Sequence, residues 1–365
     1  MIIQALIEHL ESVAPLDLQE NYDNSGLITG DKNWAISNVL VSLDCTEAIV
    51  DEAIQTKCNL IISHHPILFK SIKKLTGKNY VERTLIKAIQ NNIAIYAIHT
   101  NLDNVLNQGV NTKIAERMGL KNKAILAPSQ NKLAKLTTFV PVNNAEQVRS
   151  ALFDAGAGKI GNYDQCSFNS EGTGTFRGGQ SSNPFVGIPG ELHFESEIKI
   201  ETVFPIYLRN SVVSALIKSH PYEEVAYDIY LVENEWPQTG AGLIGELESA
   251  MDSSEFLNGL KKSMKLSVIR HTSFDQKIKK VAVCGGSGAF LLDKAIKAGA
   301  DVFVTSDFKY HEFFDAEERI MICDIGHFES EQFTPELIIE IIRNKFPNFA
   351  PVLAKTNTNP INYYY

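Results

Sequence analysis

Short apolar runs alternate with amphipathic stretches near both ends of the chain, and this rhythm sets the first expectations. Val39–Leu43 (VLVSL), Asn59–Ser63 (NLIIS) and Ile93–Ile98 (IAIYAI) are almost continuously apolar, as strands buried on both faces are. Between the first two, Glu47–Thr56 has helical spacing that turns Ile49, Ala53 and Ile54 inward. Strands alternating with helices predict parallel βαβ units. The same grammar returns late in the chain. There Lys280–Cys284, Asp301–Thr305 and Ile320–Ile325 read as strands and Phe290–Ala298 as a helix.

The two ends align with each other. Val39, Val41, Asp51, Ala53 and Ile54 fall without a gap on Val281, Val283, Asp293, Ala295 and Ile296. Ser63 then meets Thr305 and His65 meets Asp307. After a shorter connection His99 meets His327 and Asp103 meets Glu331, so H-x-x-x-D in one half matches H-x-x-x-E in the other. Any two βαβ units share apolar periodicity, but periodicity does not account for acid–histidine pairs after aligned strands. The expectation is an internal duplication, a pseudo-twofold α/β domain made of residues 1–130 and 237–365.

Residues 131–236 differ. Their order is strand (LTTFVPV), helix (Ala145–Asp154), strand (Tyr163–Asn169), strand (Ile198–Leu208), helix (Asn210–Ser219), strand (Glu224–Val232). That β-α-β-β-α-β order predicts an inserted α+β ferredoxin-like domain. The run EGTGTFRGGQSSNPFVGIPG reads as a long ordered loop or hairpin excursion, and Pro237–Gly242 as the return linker.

Three strand ends carry the chemistry. Ser63–Phe69 (SHHPILF) puts His64 and His65 directly after a buried strand, His99–Asn104 (HTNLDN) follows the next, and Gly326–Glu331 (GHFESE) follows one in the second half. Ligands gather at the carboxyl ends of strands in open α/β sheets. A lone histidine after a strand is most often structural, but the conjunction of His64, His65, Asp103, His327 and Glu331 points to metal. One tetrahedral ion cannot use five side chains, whereas two ions sharing a carboxylate and a hydroxide can, at a separation of ~3.5–4 Å. His99 could ligate or could orient a ligand from behind it, and the latter is favoured. Asp307 and His311 in Thr305–His311 (TSDFKYH) occupy the repeat position of SHHPILF and are the candidates for proton transfer. Gly285, Gly286, Ser287 and Gly288 form a Gly-rich turn before a helix, a weak candidate for holding an anion and equally a tight turn lining the cavity. Asp44 or Thr46 caps the equivalent helix in the first half.

Composition narrows the partners. A net charge of −9 argues against a nucleic-acid-binding face, which needs clustered Lys and Arg. The N-terminal segment MIIQALIEHLESV lacks the basic region of a signal peptide, and no apolar stretch reaches the ~18 residues of a membrane span, so a cytoplasmic location is expected. The five cysteines are widely spaced without a CxxC, as reduced core residues are.

The motifs YDNSGLITG, DCT, SHHPILF, HTNLDN, CGGSG, SDFKYH and GHFESE, in this order, resemble the Nif-three-like dinuclear-metal hexameric family, also known as GTP cyclohydrolase 1 type 2 homologues. The resemblance covers nearly the whole chain. With its GNYDQCSF and NTNPINYY segments, the chain is similar to the long bacterial form with a PII/CutA-like middle domain. It departs at TSD, where the family has TGD, and at Tyr22, where it often has Trp. The resemblance implies two metals on His64, His65, Asp103, His327 and Glu331, a homo-hexamer, and hydrolytic opening of a GTP-like imidazole ring. The resulting expectation is a metal-dependent hydrolase acting on a nucleotide or phosphorylated small molecule, with zinc, iron, manganese or cobalt as the divalent ions. The competing expectation is a non-catalytic regulatory protein whose insert senses a ligand.

Overall fold

The computed structural model describes residues 1–364. The chain forms two compact units, Met1–Pro128 with the chain from Gln238 onward, and Ser129–Pro237.

The first unit holds two sheets. One has the order Gly26–Thr29, Ala94–Ala97, Leu60–Ser63, Val39–Ser42, Val352–Leu353. Its last four strands run parallel and Gly26–Thr29 is antiparallel to its neighbour. Every residue of the three middle strands is buried, which is why they carry no polar alternation. Helix Glu47–Gln55 starts where the Thr46 hydroxyl accepts the Ile49 N–H, so Thr46 is the cap and Asp44 is left for another task. The helix buries Ile49, Val50 and Ala53, not Ile54, which is 40% exposed. The buried arc is set by Ile49, Val50 and Ala53, and Ile54 lies past its edge. Helix Tyr80–Gln90 covers the same face, and Leu85 and Ala88 pack with Val50, Ile61 and Ile95.

The other sheet has the order Arg270–His271, Met321–Asp324, Val302–Ser306, Ile278–Ser287, Trp236–Met251, Lys121–Ser129. Its three consecutive parallel strands lie in the same spatial order as in the first sheet, again with an antiparallel strand beside the third. Phe303 is fully buried there among Ala282, Leu292 and Ile322. The helix expected at Phe290–Ala298 divides into a 3-10 turn, Ala289–Leu291, and a short α-helix, Leu292–Lys297. Pro237–Gly242 is not a linker. It begins the long strand Trp236–Met251, which pairs antiparallel with Ile278–Ser287. Gly240 explains the misleading composition: its φ is +146°, and a Cβ there would stand 2.1 Å from the Ala127 carbonyl oxygen.

In Ser129–Pro237 a four-stranded antiparallel sheet has the order Phe168–Phe176, His193–Pro205, Leu133–Pro141, Tyr227–Val232. Helices Ala145–Asp154 and Arg209–Ser219 cover one face, packing Val148, Leu152, Val212 and Leu216 on Leu136, Ile200 and Phe204. The second strand starts later than its apolar residues suggest, because part of the Gly-rich run (Glu171–Phe176) is strand, not loop. Among the described residues no helix is long and apolar enough to cross a membrane.

Gly240 packs against Ala127 and Pro128, so the chain leaves and re-enters the first unit at adjacent points. Replacing Ser129–Pro237 by a short flexible linker should therefore leave a protein that melts cooperatively. Circular dichroism showing a broad, non-cooperative loss of structure would contradict this.

Candidate metal centre

The carboxyl ends of the parallel strands converge on one cavity of about 960 Å³ in the first unit. Backbone N–H groups of His64 and His65 still bond to the carbonyls of Ser42 and Leu43, which carries the parallel pairing past the end of Leu60–Ser63. His99 and Asp103 come from the turn and short helix Thr100–Asp103 after Ala94–Ala97. His327 and Glu331 lie one helical turn apart in His327–Glu331 and so share a face.

Each imidazole is held by its Nδ1. His64 Nδ1 donates to the Ile98 carbonyl at 2.8 Å, His65 Nδ1 to Asp44 at 2.7 Å, His327 Nδ1 to Asp307 at 2.6 Å, and His99 Nδ1 to Asp23 at 2.8 Å. A carbonyl or carboxylate only accepts, so each Nδ1 carries the hydrogen. In the neutral rings the Nε2 lone pairs are then the free ends. His65 Nε2 lies 3.0 Å and His327 Nε2 3.4 Å from one Glu331 oxygen, Oε2. His64 Nε2 lies 3.5 Å from Asp103 Oδ1 and 3.8 Å from the other Glu331 oxygen, Oε1.

Two ligand sets therefore meet at one carboxylate. His64, Asp103 and Glu331 form one, and His65, His327 and Glu331 the other, with donor atoms within 4.8 Å of one another in each. His64 Nε2 and Asp103 Oδ1 are buried and have no hydrogen-bond partner. Two buried acceptors facing each other with no donor between them are costly, and a cation between them removes the cost. The residues thus fit divalent metal, in nitrogen and oxygen donors suited to borderline ions.

The electrostatics agree. Burial and the charge of Glu331 push the Asp103 carboxyl up. Burial alone would also raise Glu331, but the His327, His64 and His65 rings facing its two oxygens hold it well below the usual range. Burial disfavours a charged His65, yet its hydrogen bonds to Asp44 and Glu331 outweigh that and raise it to about 10. His327 is raised to about 9, with hydrogen bonds to Glu331 and Asp307 again overcoming burial. Without metal, the cluster takes up protons where cations would sit.

The expected site residues are distributed as follows. His64, His65, Asp103, His327 and Glu331 come together. The His99 ring stands 5.3 Å from those of both His64 and His65, on the cavity wall. Asp307 accepts from His327 and is not a free proton carrier. His311 is exposed and packs against Tyr310 and Phe314, away from the cavity-lining residues. The Gly-rich turn is not an open anion cradle, because Gly285 N–H goes to Asn111 and Gly286 N–H to Ser330. Gly286 instead makes room: its φ is +62°, and a Cβ would come 2.5 Å from Glu331 Oε1. Sequence reasoning missed the roles of Asp44 and Asp23, although both lie in the motifs DCT and YDNSG. It also missed the tail, where Thr358 donates to Asp44 at 2.5 Å and Pro360 and Ile361 line the cavity.

Comparison with known proteins extends this picture. Residues 1–360 match the family Duf34/NIF3 (NGG1p interacting factor 3). A Halalkalibacterium halodurans protein named GTP cyclohydrolase 1 type 2 homolog is 41% identical over 366 residues, spanning 99% of this chain and 98% of that one. A Bacillus subtilis protein of the same name is 40% identical, over 99% and 98%. The crystal structure of a Bacillus cereus protein related to NIF3 superposes with a TM-score of 0.85 at 38% identity, covering 100% of this chain and 99% of that one.

Two predictions follow from the anchored imidazoles. Asp44→Asn should weaken metal binding ~10–100-fold by freeing the His65 ring, whereas Asp51→Asn, paired with Lys87 on the surface, should not; competition with a chromogenic chelator distinguishes them. The second concerns pH. Since the folded His65 titrates at about 10 against 6.5 ordinarily, its charge stabilises the metal-free fold fully below pH ~6.5, and that stabilisation is lost as pH climbs towards 10. In chelator-treated protein the melting midpoint of wild type should exceed that of His65→Gln most near pH 6.5, with the gap closing by pH 10; a gap that widens with pH reverses the assignment.

Proposed function

The chain belongs to the Duf34/NIF3 family, and from that premise we propose that it is a dinuclear metal-dependent hydrolase of a nucleotide or phosphorylated small molecule. His64, Asp103 and Glu331 would hold one ion and His65, His327 and Glu331 the other, with Glu331 shared. The observation that carries this reading is the buried pair His64 Nε2 and Asp103 Oδ1, unpartnered beside a carboxylate common to both ligand sets. The names of the relatives support a nucleotide-like substrate. The homo-hexamer implied by the resemblance is part of the same reading.

Divalent ions held there would polarise a substrate oxygen and ease ionisation of water. The chain's own residues supply the rest. Asp44, Asp307 and the Ile98 carbonyl fix the three imidazoles before any ion arrives, so little side-chain freedom is lost on binding. His99 is the proton-transfer group. Burial would raise the Asp23 carboxyl, but hydrogen bonds from His99 and Thr100 hold it well below the usual range. Asp23 therefore stays a carboxylate and keeps the proton on His99 Nδ1, leaving Nε2 to take a proton from water or return one to a leaving atom. Phe69, whose ring lies 5.8 Å from that of His99, lines the same cavity.

The equal strand order of the two sheets supports an internal duplication, in which Glu331 and Asp103 are counterparts. The strand order and paired helices of Ser129–Pro237 support a ferredoxin-like insert.

Metal-loaded protein should carry about two ions per chain by mass spectrometry, and Glu331→Ala should lose both. Incubation with a nucleotide panel, read by product mass, finds the substrate. On it, His99→Gln should keep the metal and lose ~10²–10⁴-fold in turnover, while His311→Ala should keep both. One ion or none in loaded wild type would overturn the dinuclear reading, and full turnover by His99→Gln would overturn the role of His99.

A further inference from the structure

A second cavity, of about 630 Å³, lies wholly within the unit Ser129–Pro237. Glu197 forms part of its wall and is only 8% exposed. The Tyr222 hydroxyl donates to Glu197 Oε1 at 2.7 Å. Gly174 leaves space for the other oxygen, since a Cβ there would stand 2.1 Å from Oε2. Of the basic groups near it, Lys199 pairs with Glu201 at 3.4 Å and His193 with Glu195 at 2.8 Å, and among the described residues no ion pair joins Arg177, also in the cavity wall, to Glu197. His220 Nδ1 accepts the Tyr222 N–H and Nε2 donates to the Phe139 carbonyl, so that ring is neutral. Glu197 is thus a buried carboxylate with a phenol for a partner and no cation, which is costly unless something positive joins it.

The surroundings specify what joins it. The Phe176 and Phe185 rings stand 6.1 and 6.3 Å from that of Tyr222, inclined to it at 58° and 53°. Neither phenylalanine ring lies parallel to Tyr222, so the phenol forms no stacking slot with either, and ring faces attract cations. Among the lining residues Glu171, Glu197, Glu223 and Glu224 outnumber Arg177 and Lys199. We propose that this cavity binds a small organic cation, an alkylammonium or guanidinium head group, paired with Glu197 and enclosed by Phe176, Phe185 and Tyr222. The site shares no residue with the metal centre.

Calorimetric titration of the full chain with choline, the uncharged carbon isostere of choline, agmatine and guanosine tests it. Choline or agmatine should saturate one site per chain, the two arms separating ammonium from guanidinium recognition. The uncharged isostere should bind at least about tenfold more weakly. Glu197→Gln should weaken the cation comparably, and so should Phe185→Ala, at a residue that is 55% exposed. Glu331→Gln should leave the titration unchanged. Failure of both cations to bind, equal binding of the isostere, insensitivity to both cavity variants, or binding of guanosine alone would each overturn the proposal.

Discussion

Glu331 is a carboxylate with 2% of its surface exposed, held ionised by the nitrogens of His64, His65 and His327. An isolated buried carboxylate would be protonated or driven to the surface. The arrangement around it is what prevents that, and much of the local sequence follows. Gly286 must lack a side chain because Glu331 occupies the space. Ser330 turns to the Gly286 N–H, and Asn111 to Gly285, so the strand Ile278–Ser287 ends against the helix that carries Glu331. Removing Glu331 would leave three inward-facing imidazoles with no common acceptor.

Rigidity around this carboxylate comes from outside the ring of imidazoles. Asp44, Asp307 and Asp23 each fix one histidine, and the Ile98 carbonyl fixes the fourth. Asp44 is itself held by Thr358, so the order extends from Glu331 through His65 and Asp44 to the C-terminal tail. The strand Val352–Leu353 brings that tail alongside Val39–Ser42. A centre of this kind tolerates little slack, since ligand atoms must meet within tenths of an ångström.

The parallel strands and the converging His and acid residues were legible in the sequence, because fully apolar runs and polar residues at their ends are local signals. What was not legible depended on partners far along the chain. Asp44 looked like a helix cap because Ser, Thr and Asp are chemically equivalent there, and only the placement of His65 decides that Thr46 caps and Asp44 does not. Asp307 looked like a proton carrier because its strand position mirrors His65, but the His327 ring, twenty residues on, claims it. Pro237–Gly242 looked like a linker because a glycine demanded by close backbone approach has the same letter as one in a loop.

The tail contact bears on how the protein is made. His64 and His65 precede in the chain both the Glu331 carboxylate that they face and the Thr358 hydroxyl behind Asp44, and so leave the ribosome well before them. A ribosome-bound chain that stops short of Glu331 presents these histidines without the buried carboxylate, so a divalent ion would meet an incomplete donor set. The complete donor set, with His65 anchored through Asp44, exists only once Glu331 and Thr358 have joined it.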